Sequence, residues 1–264
     1  MKEQIWDNVE LLRSKSPTVL IITNIVSMSI IADTLSALGA SALISQASMN
    51  IDQMLDLSDS AVISLGTLTP EEVASAARTM RSSARGGRPS VLDAVGAGIR
   101  LYRNRVIDEL LEASDPHYVF GNQTEILAVA GIGTETDDPQ AYESVNAVDN
   151  AVLFARNRDC VVAIEDEGYI VTDGMHTGRI KMGRVASELA GIARPAASAV
   201  IGAFAAVCRR DFMGAFTALS YMSVCSQSAS EALGKGGQPA AMLYDSLRSM
   251  TRDEFMRRLD ISGI

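Results

Sequence analysis

The sequence predicts an α/β domain with a mostly parallel central sheet, helices on both faces and a helical C-terminal third. Short apolar segments, typical of buried strands, alternate with longer helical patterns as far as about residue 195. This alternation favours a parallel sheet, because parallel strands need a crossover connection that is usually a helix. At 264 residues, without an internal repeat or a convincing linker, the chain is expected to form a single domain over 1–264.

The individual elements follow from hydrophobic spacing and from start signals. The apolar segments predict strands at 18–23, 41–44, 61–65, 90–92, 118–120 and 160–164. Helical patterns predict helices at 28–38, 70–85, 104–113, 123–130, 145–157, 195–208, 211–230, 240–250 and 252–259. Thr69-Pro70 is a typical helix start, with an N-cap followed by proline. By the same reasoning Arg194-Pro195 is expected to begin a helix after a short irregular stretch.

Composition excludes several classes of function. The net charge of −9 argues against sequence-independent nucleic-acid binding and against an anionic membrane surface as partner. Three cysteines without a CxxC pair, and two histidines without zinc-site spacing, indicate a reduced protein without structural zinc. The N-terminus has amphipathic spacing rather than a signal peptide's apolar core. No stretch reaches about 18 uncharged apolar residues, so we expect no transmembrane helix and a cytoplasmic location.

Polar or glycine-rich clusters follow four of the predicted strands, at the sheet edge where ligands of α/β proteins bind. They are Thr23-Asn24, Gly66-Thr67, Asp93 with the VGAG segment after it, and the N-x-x-E motif of Asn122 and Glu125. Each also has a structural interpretation, as a helix cap, a plain turn, an Asx-turn or a capping pair. The Asp93 segment is the most informative, because its glycines allow the backbone to approach a ligand closely.

Taken in order, these motifs resemble the hydroxyethylthiazole kinase family of the ribokinase-like superfamily. The resemblance is carried by ITN (22–24), ALGAS (37–41), LGTLT (65–69), VLDAVGAG (91–98) with Tyr102-Arg103, and GN-x-x-E (121–125). It implies a ribokinase-like fold and transfer of the ATP γ-phosphoryl group to the primary alcohol of a thiazole, in thiamine salvage. It also implies a homotrimer with the small-molecule alcohol bound between subunits.

The resemblance also implies roles for individual residues. The alcohol pocket would be lined by Asn24, Ile44, Gly66, Thr67 and Val95. Asp93 and Glu125 would help to hold Mg²⁺, whose positive charge offsets that of the phosphates in phosphoryl transfer. The nucleotide side would include Asn122, Glu165, Asp166 and Gly191.

The chain departs from the family pattern at three places on the phosphate side. The family's T-G-T-G-C motif, which would supply the base and an anion hole of backbone N–H groups, is replaced by residues 191–195, with Pro195 at the base position. The family's Thr-Gly near the phosphates is Glu165-Asp166, and its basic residue before the GN dipeptide is Phe120. One hypothesis is that Arg194 fills the anion hole and pairs with Glu165 or Asp166; alternatively, Arg194 points to solvent and residues 165–168 form an acidic hairpin turn.

Three functions remain open from the sequence. The first is an ATP- and magnesium-dependent kinase of the thiazole type. The second is a kinase-fold protein without phosphotransfer activity that binds a thiazole-like ligand between subunits, and the third is a structural or regulatory oligomer. Family resemblance favours the first, whereas Arg194-Pro195 and Glu165-Asp166 favour the second.

Overall fold

A computed structural model of the chain describes residues 1–45, 48–64, 66, 68–99, 101–132, 146–208, 211–234 and 236–263. Over these residues a central sheet has the strand order β2-β1-β3-β4-β5-β6-β7-β8-β9. The strands are β1 (Thr18–Thr23), β2 (Ser41–Ile44), β3 (Ser60–Ser64), β4 (Ser90–Asp93), β5 (Tyr118–Asn122), β6 (Val161–Glu165), β7 (Gly168–Thr172), β8 (Thr177–Lys181) and β9 (Asp260–Gly263). Neighbours from β2 to β6 are parallel, and those from β6 to β9 are antiparallel.

Helices cover both faces of the sheet. They are α1 (Lys2–Lys15), α2 (Ile25–Leu38), α3 (Ile51–Asp56), α4 (Pro70–Gly86), α5 (Leu101–Ala113), α6 (Gln123–Val129), α7 (Ala147–Arg158), α8 (Ala190–Cys208), α9 (Phe212–Leu233), α10 (Pro239–Ser249) and α11 (Arg252–Arg258). One core joins α1, α2 and α8–α11 to alternate strand residues such as Val19 and Ile21. The other core joins α3–α7 to the residues between them, such as Leu20 and Ile22. The period of two along each strand thus places apolar side chains in both layers.

The six predicted strands are confirmed as β1 to β6, with ends that differ by at most two residues. The antiparallel strands β7, β8 and β9 were not predicted. Strand β8 alternates buried and exposed residues over only five positions, and β9 has only four residues, so neither gives a strong apolar signal. Helices α1 and α3 also lie outside the predicted ranges, although the N-terminal spacing was recognised as amphipathic.

The predicted start of the late helix is wrong. Helix α8 begins at Ala190, directly after a 3-10 turn at Ser187–Leu189, so that Arg194 and Pro195 lie inside it. Proline is most common at the first helical position, and this preference misplaced the boundary. Within the helix, Pro195 has no N–H for the carbonyl of Gly191, four residues earlier.

Residues 187–208, from Ser187 through α8, are long and apolar enough to cross a membrane by length and composition. The residues from Ala196 to Ala205 are all buried in the domain, however, and Gly202 lies so close to β3 that a Cβ there would be 2.3 Å from Val62. The packing therefore identifies α8 as a core helix of the α/β domain.

Candidate active site

The carboxyl ends of the parallel strands meet along one edge of the sheet, where the sequence places most of the candidate residues. Asn24 directly follows β1 and Gly66 lies two residues beyond β3, while Asp93, Asn122 and Glu165 end β4, β5 and β6. Register supports this placement, because Asn122 lies directly beside Glu165. The edge divides into two parts, one beyond β1 to β4 and the other beyond β4 to β6.

The first part, which we call the alcohol half, contains Asn24, Ile44, Gly66 and Val95. The Asn24 side chain caps α2, accepting hydrogen bonds from the backbone N–H groups of Val26 at 2.9 Å and Ser27 at 3.2 Å. A Cβ on Gly66 would lie only 2.0 Å from Asn24 Nδ2, so glycine is required for this close approach. Thr67, predicted for the same pocket, lies outside the described residues.

Arg103 on α5 ties the two loops of the alcohol half together. Its Nη2 donates to the carbonyl of Gly66 at 2.7 Å, and its Nη1 donates to the carbonyl of Val95 at 3.3 Å. The sequence placed Arg103 among the family motifs without a role. Its position one turn into a helix that follows the VGAG loop is the signal that could have suggested one.

The second part, which we call the phosphate half, contains Asp93, Phe120, Glu125, Glu165 and Arg194. Nη2 of Arg194 lies 2.9 Å from Asp93 Oδ1 and 2.6 Å from Glu125 Oε2. Its Nη1 lies 3.6 Å from Glu165 Oε2. One guanidinium thus joins carboxylates from the ends of three neighbouring strands, and these ion pairs are largely buried: side-chain exposure is 17% for Arg194, 1% for Asp93 and 6% for Glu125.

Asp93 and Glu125 have further hydrogen-bond donors besides Arg194. Asp93 Oδ2 accepts from the Ser64 hydroxyl at 2.9 Å, and Glu125 Oε1 accepts from the backbone N–H of Gly96 at 2.8 Å. Glu125 Oε2 also accepts from the backbone N–H of Asn122 at 2.7 Å, and the Asn122 side chain accepts from Glu125 N at 2.9 Å. The N-x-x-E motif is therefore a capping box at the start of α6, as the structural interpretation expected.

The Arg194 guanidinium also rests on an aromatic ring. Its central carbon lies 5.3 Å from the ring centroid of Phe120, which is fully buried in β5. Burial alone would lower the pKa of Arg194, but Asp93 and Glu125 outweigh that effect and raise it. The guanidinium is therefore fixed as a cation by charges on one side and by a ring on another.

The sequence hypothesis about Arg194 is confirmed in part. Pairing with Glu165 is observed, but at 3.6 Å it is the longest of the three ion pairs. Burial raises the pKa of Glu165, with Arg194 opposing this rise. Among the described residues Arg194 has no ion pair with Asp166, whose backbone N–H instead bonds to Gly168 in the two-residue β6–β7 turn. The alternative interpretation is wrong for Arg194, which is largely buried rather than directed to solvent, although residues 165–168 do form the hairpin turn that it expected.

The α8 helix occupies the place where the resemblance implied a base and an anion hole. Pro195, which the resemblance assigned to the base position, lies inside this helix and has no group that can accept a proton, and the N–H groups that follow it point along the helix towards preceding carbonyls. Gly191, expected near the nucleotide, lies in the first turn, and nothing lies within 4 Å of where its Cβ would be. This end of α8 is therefore open on the side of Gly191.

A divalent cation does not fit Asp93 and Glu125 in this arrangement. Magnesium requires oxygen ligands at about 2.0–2.1 Å in octahedral geometry. Every carboxylate oxygen of the two residues already has a hydrogen-bond donor, and the Arg194 guanidinium lies between the two groups. Within the described ranges, the structure contains no group of three or more acidic, histidine or cysteine side chains that could hold a metal ion.

Comparison with known proteins agrees with the class of fold defined by this sheet and site. The chain is similar to the structure of a hydroxyethylthiazole kinase protein from Pyrococcus horikoshii OT3, with a TM-score of 0.86, 29% identity and 99% of each chain covered. It shares its fold with a ribokinase-like superfamily protein from Enterococcus faecalis V583, at a TM-score of 0.65 and 11% identity over 92% of this chain and 89% of the other. The protein therefore has the ribokinase-like fold of small-molecule kinases.

Sequence relatives narrow this class to one family. The hydroxyethylthiazole kinase from Syntrophus aciditrophicus (strain SB) is 34% identical over 98% of this chain and 97% of its own length. The one from Leptothrix cholodnii is 34% identical, with 98% and 95% covered. Residues 9–253 match the family model, and the chain belongs to the hydroxyethylthiazole kinase family.

Proposed function

We propose that the protein phosphorylates the primary alcohol of 4-methyl-5-(2-hydroxyethyl)thiazole, with ATP as the phosphoryl donor. The observation that carries this proposal is the alcohol half, in which Gly66 lies against Asn24 and Arg103 joins the loops that contain Gly66 and Val95. Family membership over nearly the whole chain supports the same reaction. The expected place of action is the cytoplasm, in thiamine salvage.

The proposed reaction does not depend on the residue at the base position. Phosphoryl transfer passes through a loose transition state, in which positioning and charge stabilisation supply most of the catalysis. With Pro195 at that position, the rate should therefore lack the contribution of a general base, roughly 10²–10⁴, but the reaction can still proceed. Arg194 provides positive charge beside the proposed phosphate path, and it offsets the charge of Glu165.

The proposed nucleotide side keeps the residues that the sequence assigned to it. Asn122, Glu165 and Asp166 follow one another along the same edge, and Gly191 leaves space at the start of α8. ATP is supplied to kinases together with Mg²⁺, which the phosphates themselves hold. The metal position that the resemblance implies at Asp93 and Glu125 is not used in this proposal, because Arg194 occupies it.

We also propose that the protein is a homotrimer with the alcohol bound between subunits. Apolar residues that follow the strand ends are unusually exposed on the alcohol side, with Ile25 81%, Val26 74% and Met49 88% exposed. Exposed apolar patches of this kind typically mark an interface. Light scattering after size-exclusion chromatography should give three times the 28.1 kDa chain mass.

A coupled ADP-release assay with MgATP and hydroxyethylthiazole tests the activity, and ³¹P NMR of the product identifies the phosphate ester. We expect thiazole-dependent ADP release at a rate below that of the relatives with an intact T-G-T-G-C segment. Thermal stabilisation by the thiazole without ADP release would instead support a ligand-binding protein that lacks phosphotransfer activity. No stabilisation by either ligand would favour a structural or regulatory role.

A further inference from the structure

We propose that Arg194 takes the place of a divalent cation, so that the protein carries its own cation between Asp93 and Glu125 and excludes metal ions from this position. The inference goes beyond the proposed function, because it concerns what balances the charge of the site in the protein without substrates. It would stand whether or not the alcohol is phosphorylated.

The positive charge of Arg194 lies where a shared cation would be expected. Asp93 ends β4, and Glu125 lies in the first turn of α6 after the adjacent strand β5. Two buried carboxylates that approach one point from neighbouring strands are an arrangement suited to a shared cation. Here Nη2 of Arg194 lies at that point, 2.9 Å from one carboxylate and 2.6 Å from the other.

The carboxylate oxygens of Asp93 and Glu125 already have hydrogen-bond donors from the protein. The Ser64 hydroxyl and two backbone N–H groups, from Gly96 and Asn122, bind the oxygens of Asp93 and Glu125. These donors fix both carboxylates in orientations directed at Arg194. A metal ion would have to displace the guanidinium, and the displaced Arg194 would lose its two shorter ion pairs and keep only the one with Glu165.

The Arg194 side chain is held in place by its surroundings. It extends from the interior of α8, where Pro195 follows it, and its guanidinium lies 5.3 Å from the Phe120 ring centroid. Phe120 is itself backed by Tyr169, with ring centroids 6.4 Å apart. A flat, weakly hydrated cation suits an aromatic face, whereas a strongly hydrated metal ion does not.

A second substitution, at Glu165, separates two effects of removing Arg194: the change in net charge of the site and the emptying of the position between Asp93 and Glu125. Three carboxylates and one guanidinium give the wild-type site two net negative charges. The double variant Arg194→Gln/Glu165→Gln also has two net negative charges, from Asp93 and Glu125 alone. The two proteins therefore match in charge and differ in whether the guanidinium fills the position between Asp93 and Glu125.

Mn²⁺ binding tests the proposal, measured without nucleotide by electron paramagnetic resonance of the free ion and by the shift of the thermal unfolding midpoint. Millimolar Mn²⁺ should neither bind to nor stabilise the wild type. The double variant should bind one Mn²⁺ per chain, with a dissociation constant at least about tenfold lower than any wild-type binding, and its unfolding midpoint should rise. The single variant Arg194→Gln should behave in the same way, and Arg81→Gln, at an exposed position on α4, should match the wild type.

Two results would overturn the proposal. One is saturable Mn²⁺ binding by the wild type that Glu125→Gln abolishes, because the metal would then share the site with Arg194. The other is a folded double variant that binds no Mn²⁺, because removing the guanidinium would not have opened a cation site. Should Arg194→Gln not fold, the charge-matched double variant gives the same test. Neither readout depends on catalysis, so a failed kinase assay would leave this result intact.

Discussion

In the alcohol half, Arg103 holds neutral groups, namely the carbonyls of Gly66 and Val95, whereas in the phosphate half Arg194 holds charged carboxylates. Both arginines join the ends of adjacent strands along one edge of one sheet. The three places at which the sequence is expected to depart from the family pattern meet in the phosphate half, where Phe120 and Glu165 both lie beside the Arg194 guanidinium. The three departures therefore belong to one group of side chains in mutual contact.

Loss of Arg194 from the phosphate half should destabilise the folded protein far more than loss of an arginine from the surface. Arg194→Gln leaves Asp93 and Glu125 buried without their counter-ion, and breaking such a buried pair typically costs about 3–5 kcal/mol. Urea denaturation in metal-free buffer measures this loss. Arg81→Gln, on the exposed surface of α4, should change the free energy of unfolding by no more than about 0.5 kcal/mol. A loss below about 1 kcal/mol for Arg194→Gln would contradict the account of this half.

Alanine substitutions at Gly66, in the alcohol half, and at Gly191, at the start of α8, allow the two sides of the site to be compared directly. Gly66→Ala places a Cβ 2.0 Å from Asn24 Nδ2 and displaces the side chain that caps α2, so we expect a loss of about 0.5–2 kcal/mol in stability and weaker thiazole binding. Gly191→Ala meets no atom within 4 Å, and within a helix alanine should stabilise by up to about 1 kcal/mol. Chemical denaturation and calorimetric titration with the thiazole measure both effects. Equal losses for the two variants would argue against the close approach at Gly66.

The aromatic face beneath Arg194 should show a smaller, specific coupling. A double-mutant cycle between Phe120→Leu and Arg194→Gln should give a coupling of about 0.5–2 kcal/mol, since the guanidinium lies over this ring. The matched control is Phe204→Leu in α8, which removes a fully buried ring elsewhere in the same core. Equal coupling energies for the two rings would mean that Phe120 acts through packing alone.

Glu165 should have the smallest effect on stability and a distinctive pH dependence. Its ion pair is long and partly exposed, so Glu165→Gln should change the free energy of unfolding by less than about 1 kcal/mol. Because burial raises the pKa of Glu165 in the folded protein, the folded state holds its proton more tightly than the unfolded state does. The stability of the wild type relative to Glu165→Gln should therefore be greatest at pH values below the ordinary pKa of a glutamate and fall as the pH rises above it. A relative stability that rises over this range would contradict the sign of the shift.

The positions of the candidate residues along the edge of the sheet, in both halves, could largely be predicted from local sequence. Buried parallel strands are short apolar segments, and the residues that follow them necessarily meet at one edge, so Asn24, Gly66 and Asp93 were placed correctly there. The capping roles of Asn24 and Asn122 also follow from residue type and spacing. Such features depend on neighbours within a few residues along the chain.

The phosphate half could be predicted only in outline. Which carboxylates an arginine reaches depends on the length of its side chain and on the start of its helix, and the preference of proline for first turns misplaced that start at Arg194-Pro195. Glu165 was proposed as a partner, but the shorter contacts go to Asp93 and Glu125, about 100 and 70 positions away in the sequence. Contacts at that separation follow from the order of the strands in the sheet, which no local pattern encodes.

The most direct measurement of the central claim is a crystal structure of the wild-type protein grown with MnCl₂, with data collected for the anomalous signal of manganese. We expect the Arg194 guanidinium between Asp93 and Glu125, with no anomalous peak within about 2.5 Å of their oxygens. A manganese peak bound to both carboxylates, with the Arg194 side chain displaced, would contradict it.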